Sequence, residues 1–198
     1  MFAERYKRNS LLTEAEQARL ARSRALIVGL GGLGGHVLDM LARMGVGTIM
    51  AADGDAFETS NLNRPLLCTE RRIGMNKADA AREHVREVNG EISFTAIPRF
   101  LRGEELDDLA RRADVVVDAL GGLRDRRAVQ EAAAKAGVPL VSAGISGLTG
   151  WVAVVRPGEN GPAAYLGAGD EHGGGVEETE GNLAPTAALA AALQASEV

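Results

Sequence analysis

"VGLGGLGGHVLDMLARMG", residues 28–45, sets a glycine-dense turn directly before an amphipathic stretch. Gly29, Gly31 and Gly34 stand at the G-x-G-x-x-G spacing, after an apolar run, "RALIVGL" (24–30), suited to a buried parallel strand. Such a turn presents backbone N–H groups at a helix start, where phosphate binds. The motif alone does not say whose phosphate. A redox dinucleotide and a triphosphate about to be cleaved need the same amides. The stretch after it places Val37, Leu38, Leu41 and Met44 on one helical face, with Gly45 as a stop.

Outward from this turn, apolar runs and helical periods alternate. "TEAEQARLARS" (13–23) carries Thr13 three residues before Glu16, a capping-box spacing that predicts a short first helix. "GTIMAADGD" reads as a second strand ending at Asp53, 75–88 as a helix, "ISFTAI" (92–97) as a third strand and 104–111 as a helix. "ADVVVDAL" (113–120) is a fourth strand, 124–136 a helix and "VPLVSAG" (138–144) a fifth strand. This order predicts an α/β fold, a doubly wound, mostly parallel sheet with a Rossmann-like nucleotide-binding half. "TGWVAVVRPG" (149–158) adds an edge strand, antiparallel to the rest. Residues 157–182 are rich in glycine and acid and read as a long mobile crossover loop. Residues 184–197 read as a C-terminal helix with Pro185 in its first turn. No repeat or linker divides the 198 residues, so a single domain spanning 1–198 is expected.

The net charge of −5 argues against a large nucleic-acid footprint. Basic clusters at 5–8, 71–72, 111–112 and 124–127 read as solvated helix faces. The N-terminus is charged where a signal peptide would carry an apolar core, and no run reaches the length of a membrane span, so a soluble, cytoplasmic protein is expected. One cysteine, Cys68, excludes an intrachain disulfide and a multi-cysteine metal site.

Asp53 lies about 20 residues past the glycine turn, where an acidic side chain accepts ribose hydroxyls. A dehydrogenase would need a place for substrate and nicotinamide to meet, yet these 198 residues are expected to hold no second domain of useful size, and His36, His84 and His172 are scattered. "DGDAFETSNLNRPLL" (53–67) is far more polar than a strand-to-helix connection requires. Lys77 follows at the start of the next helix, where a cation opposes the helix dipole unless an anion sits there. Arg64 and Lys77 together could neutralise a polyphosphate as charge moves onto its leaving part.

"RYKRN" (5–9), "GLGGLG" (29–34), "DGD" (53–55), "SNLNR" (60–64) and "GMNKA" (74–78) resemble, in order and spacing, the ThiF/MoeB/HesA family of bacterial relatives of the ubiquitin-activating enzymes. The resemblance implies ATP and magnesium as cofactors and a homodimer. It also implies adenylation of the terminal glycine of a ubiquitin-like sulfur-carrier protein ending in Gly-Gly. By the same resemblance Gly32 lies at the phosphates, Asp53 and Asp55 at the nucleotide, and Ser60, Asn61, Asn63 and Arg64 along it. Arg64 and Lys77 hold the phosphates, and Arg5 enters from the partner subunit.

Two departures stand out. Where the family reads D-x-x-D-N, with the second aspartate helping to hold magnesium, this chain reads "DALGG": Asp118 is kept, but Gly121 and Gly122 stand where Asp and Asn would be. Asp118, or Asp125, could take over that role, and otherwise the chain would be a weakened nucleotide-binding scaffold or heterodimer subunit. The other departure is chemical. The crossover stretch has no cysteine for a thioester, Cys68 reads as a small buried apolar residue, and the paired CxxC motifs of a structural zinc are absent. An adenylating enzyme without a covalent thioester is expected. The carrier and its pathway are left open, and a tRNA-modifying relative and a nicotinamide oxidoreductase are the less favoured enzyme readings.

Overall fold

The computed structural model describes residues 4–122, 125–165 and 180–198. Among them, strands β1 (Arg24–Val28), β2 (Thr48–Ala52), β3 (Ser93–Ile97), β4 (Val115–Asp118), β5 (Leu140–Ser146) and β6 (Thr149–Val155) form one sheet. Its order is β3-β2-β1-β4-β5-β6, parallel throughout except for β6, which runs antiparallel along β5. Helices α1 (Glu14–Leu20), α2 (Gly34–Met44), α3 (Lys77–Val88), α4 (Gly103–Arg111), α5 (Arg126–Ala136), α6 (Pro162–Tyr165) and α7 (Ala184–Ser196) surround it.

The strands read as continuous apolar runs because both of their faces are covered. Ala25 and Ile27 of β1 turn toward α2, α3 and α7, packing with Leu38, Val85 and Ala191. Leu26 and Val28 turn the other way, toward Leu106, Leu109 and Val129 of α4 and α5. Helix α2 buries Val37, Leu38 and Leu41 as its spacing predicts, and Gly45 closes it with φ +84°. Met44, expected on the same face, is 37% exposed because the helix by then has run past the core. At α1, Thr13 and Glu16 form the expected capping box.

The predicted edge strand is β6, and the predicted C-terminal helix is α7. Of the stretch expected as one loop, residues 162–165 instead form the single turn α6, whose Ala163 N–H donates to Gln130 Oε1 of α5 at 3.3 Å. Residues 166–179 of that stretch lie outside the described residues, as does Arg124 of the helix expected from 124. No helix among the described residues is long and apolar enough to cross a membrane.

The sheet order reverses between β1 and β4, so their C-terminal ends diverge and leave a crevice there. The chain leaves β1 through Gly29, whose φ of +95° belongs to glycine and whose Cα approaches the Ala119 carbonyl so closely that a Cβ would lie 2.7 Å from that oxygen. Five residues on, a Cβ at Gly34 would overlap the Gly29 carbonyl oxygen. Gly34→Ala is therefore expected to cost about 3 kcal/mol of stability. Gly31→Ala, with nothing within 4 Å of its Cβ, should cost under about 1 kcal/mol. Urea unfolding of both variants checks this; equal losses would refute the crowding account.

Candidate functional site

A cleft of about 650 Å³ opens at the C-terminal ends of β1, β2 and β4. Gly29, Gly31 and Gly32 line one side, Asp53, Asp55 and Lys77 the next, and Gly121, Gly122 and Asp125 the far wall. Arg64 leans in from the connection after β2. The cleft continues past Gly144 and Ser146 of β5 to Gly150 and Trp151 of β6. Gly31 lines the cleft and nothing lies within 4 Å of where its Cβ would be, so a ligand can approach its backbone closely.

Asp53 ends β2 and is 8% exposed. One carboxylate oxygen accepts the Leu30 N–H at 2.8 Å and the other accepts the Asp55 N–H at 2.9 Å. It thus fixes the glycine turn to the strand end while keeping lone pairs toward the cleft. Lys77 heads α3, and the anions that offset the dipole there are protein carboxylates: its Nζ lies 2.9 Å from Asp55 Oδ2 and 3.8 Å from Asp53 Oδ2. Asn76 caps the same helix through Oδ1, accepting the Ala78 N–H at 2.8 Å.

Arg64 lies across the glycine turn because Gly32 lacks a side chain; a Cβ there would stand 3.2 Å from Arg64 Cγ. Its Nη1 donates to Asn63 Oδ1 at 2.9 Å. Ser60, Asn61 and Asn63 are not on the cleft wall. Asn61 Oδ1 accepts the Glu58 N–H at 3.2 Å, closing the turn over Thr59–Asn61, and Ser60 sits beside Glu58. Arg5 stands at the opposite end of α3 from Lys77, donating to the Val88 carbonyl at 3.0 Å and lying 3.6 Å from Glu91. It does not reach the cleft of its own chain.

Asp118 is 1% exposed and does not line the cleft. One oxygen accepts the Leu120 N–H at 3.1 Å; the other accepts from Arg126 at 2.7 Å and from the Ser142 hydroxyl at 2.6 Å. Its surroundings favour a buried ion pair over the magnesium role expected of it. Arg126 itself corrects the reading of 124–127 as a solvated face: it is 5% exposed, donates to the Gly122 and Leu120 carbonyls, and stacks 5.3 Å from the Trp151 ring. Sequence reasoning missed this pair. The signal available was an aspartate closing an otherwise apolar strand, since a buried carboxylate needs a cation. Asp125 is on the wall, and its side chain makes no cap hydrogen bond to α5. Cys68 is 9% exposed among apolar neighbours, and burial pushes its thiol up more than the Lys77 charge pulls it down.

Burial raises the Asp53 carboxyl above its ordinary range, against the Lys77 charge and the two backbone donors; the Asp55 charge adds to the rise. The native carboxyl then holds its proton more tightly than the unfolded one. Its contribution to stability is lost as pH rises from the ordinary aspartate value through the raised native value, and is flat beyond it. Lys77→Met removes the opposing cation and should move the Asp53 titration, followed by carboxyl carbon NMR, further upward. An unchanged or lower midpoint would contradict the assignment.

A model of the ThiF family matches residues 5–198. The sulfur carrier protein ThiS adenylyltransferase of Escherichia coli (strain K12) is 36% identical over 156 residues, which is 77% of this chain and 62% of that protein. Its counterpart in Bacillus subtilis (strain 168) is 33% identical over 198 residues, 98% of this chain and 59% of that protein. The chain therefore spans about three fifths of the length of these relatives. Among solved structures, E. coli MccB with AMPCPP and MccA superimposes with a TM-score of 0.80 at 27% identity, over 100% of this chain and 62% of that one. With the glycine turn, the Arg64–Lys77 cleft and a family match over nearly all its residues, this chain belongs to the ThiF family.

Proposed function

We propose that this chain binds ATP in the cleft and adenylates the C-terminal glycine carboxylate of a small ubiquitin-like sulfur-carrier protein ending in Gly-Gly. The observation that carries this reading is the convergence of Arg64 and Lys77 on the open glycine turn, in one cleft that continues toward β5 and β6. The ThiS adenylyltransferases among its relatives support the carrier as substrate. The triphosphate lies along Gly29, Gly31 and Gly32, with the ribose toward Asp53, while Gly34, expected beside them, is buried off the cleft wall and packs on Gly29. The carrier carboxylate enters from the Gly144–Trp151 end.

One carboxylate oxygen attacks the α-phosphorus, the bond from that phosphorus to the bridging oxygen breaks, and pyrophosphate leaves. Arg64 and Lys77 take up the charge that accumulates on the leaving group, and the walls hold the reactants in line. Lys77 must exchange its Asp55 contact for phosphate oxygens as the nucleotide enters. No cysteine adduct is needed, since Cys68 is buried and its thiol is held protonated.

Magnesium supplies further charge neutralisation on the phosphates when it is bound. Among the described residues no three acidic, histidine or cysteine side chains cluster as a metal site. Asp118 is committed to Arg126, whereas Asp125 faces the cleft. Asp125 and the nucleotide's own phosphates would hold the ion. A second reading, a scaffold subunit that binds nucleotide without catalysis, is favoured by the glycines at 121 and 122.

Lys77→Ala should lower carrier-dependent ATP–pyrophosphate exchange by about 10²–10³ while leaving a folded protein. ATP binding with no exchange on any Gly-Gly carrier would favour the scaffold, and tight NAD binding without ATP binding would overturn the whole reading. In the proposed homodimer Arg5, which lies at the far end of α3 from its own cleft, would serve the neighbour's cleft. Mixing Arg5→Ala with Lys77→Ala subunits should then restore part of the activity through hybrid dimers with one intact site. An active, strictly monomeric wild type would exclude that arrangement.

A further inference from the structure

Asn63 was expected along the nucleotide, but its amide is engaged on both sides by protein. Oδ1 accepts from Arg64 Nη1 at 2.9 Å, and Nδ2 donates to the Asn182 carbonyl at 3.0 Å, across 119 residues of sequence. The orientation of the amide is fixed by its partners: a guanidinium only donates and a carbonyl only accepts, so a flipped amide would meet both wrongly. Arg64 is thereby linked, through one side chain, to the segment 180–182.

That segment leads into α7 and lies along the β5–β6 turn, where Asn182 forms a single β-bridge with Gly147. Gly147 N–H donates to the Gly181 carbonyl at 2.8 Å, and the Ser146 hydroxyl donates to Glu180 Oε2 at 2.8 Å. Asn182 lines the cleft between the phosphate turn and the β5–β6 end, yet its side-chain Oδ1 is buried with no partner among the described residues. A buried carbonyl without a donor disfavours the docked position. Docking of 180–182 is therefore supported from outside, by Ser146, Gly147 and Asn63.

We propose that Asn63 is a positioning residue that couples the Arg64 guanidinium to the docking of segment 180–182, so that the state of this segment sets how well Arg64 meets the nucleotide. Arg64 has a long side chain with several rotatable bonds, and it crosses Gly32 with nothing but the Asn63 amide and the Ser60 carbonyl (3.4 Å) on its Nη1. Removing Asn63 leaves Arg64 over the turn without its principal orienting acceptor. Undocking 180–182 pulls the same amide away. The inference rests on the ATP-binding half of the proposed function and needs neither the carrier nor turnover.

The test is the affinity for ATP, measured by titration calorimetry on the full chain, in a cycle of Asn63→Ala, Arg64→Ala and the double variant. Urea midpoints establish that each variant is folded. Asn63→Ala should weaken ATP binding about five- to tenfold, and in the Arg64→Ala background by less than about twofold. Ser146→Ala, which releases Glu180, should weaken binding about threefold in the wild type and have no effect once Asn63 is alanine. Equal losses from Asn63→Ala in both backgrounds, or none in either, would overturn the role through Arg64. A Ser146→Ala effect that persists without Asn63 would overturn the coupling to 180–182. A wild type that binds no ATP would instead fail the proposed function itself.

Discussion

Where the chain leaves β1, the backbone of Gly29 passes so close to the Ala119 carbonyl that no side chain fits between them. Gly34 then packs against Gly29 in the same way. This double approach joins the end of β1, the end of β4 and the start of α2 at one point. The amides of the turn face a cleft only because the strands diverge there, and α2 can begin only because its first residue lacks a Cβ. Asp53 completes the joint from β2 by accepting the Leu30 N–H. Every group on the cleft wall is placed relative to this crossing. A change that widens it by a single methyl group moves phosphate turn, strand ends and helix together.

The second constraint is electrostatic. The cleft gathers cations that a phosphate would use, and in the protein each already has an oxygen partner: Lys77 has Asp55 and Asp53, and Arg64 has Asn63. Arg126 differs in being sealed against Asp118, Ser142 and two carbonyls under the Trp151 ring. The pair around Lys77 is the exchangeable one, since Asp55 is exposed, whereas Arg64 can keep Asn63 on Nη1 and turn its remaining N–H groups to a phosphate. The Asp118–Arg126 pair is not exchangeable. Breaking it would leave a buried charge alone, so it serves to hold the 119–122 turn rather than to meet a ligand.

Much of this architecture was legible in the sequence, for physical reasons that differ by element. The parallel strands were found because burial on both faces demands unbroken apolar runs such as 25–28 and 115–117. The glycine turn was legible because close backbone approach admits only glycine at 29 and 34. Arg64 and Lys77 stood out because a cation at a helix start, and another in an unusually polar connection, call for anions; both do line the cleft, and the anions beside Lys77 are Asp53 and Asp55. What escaped was long-range pairing. Nothing local separates a buried Arg126 from an exposed Arg127 one residue later, since the difference lies in a carboxylate eight positions back and a ring 25 positions ahead. Likewise Asn63 and Asn182 are 119 residues apart, and neither is informative without the other.

Replacing the family's Asp-Asn with Gly121–Gly122 changes more than one ligand. Gly121 is not in the left-handed region, and nothing lies within 4 Å of where its Cβ would be, so glycine is not required there by the backbone or by packing. The wall opposite Lys77 is correspondingly bare, with Asp125 as the carboxylate exposed on it. Under the proposed chemistry, a metal drawn to this wall is held more by phosphate than by protein, and the charge of the leaving pyrophosphate falls more heavily on Arg64 and Lys77. Such a site depends on how accurately Arg64 and Lys77 are aimed. Lys77 is aimed by a pair of carboxylates at a strand end. Arg64, on an irregular connection, is aimed by one neutral amide that also reaches across the chain to residue 182.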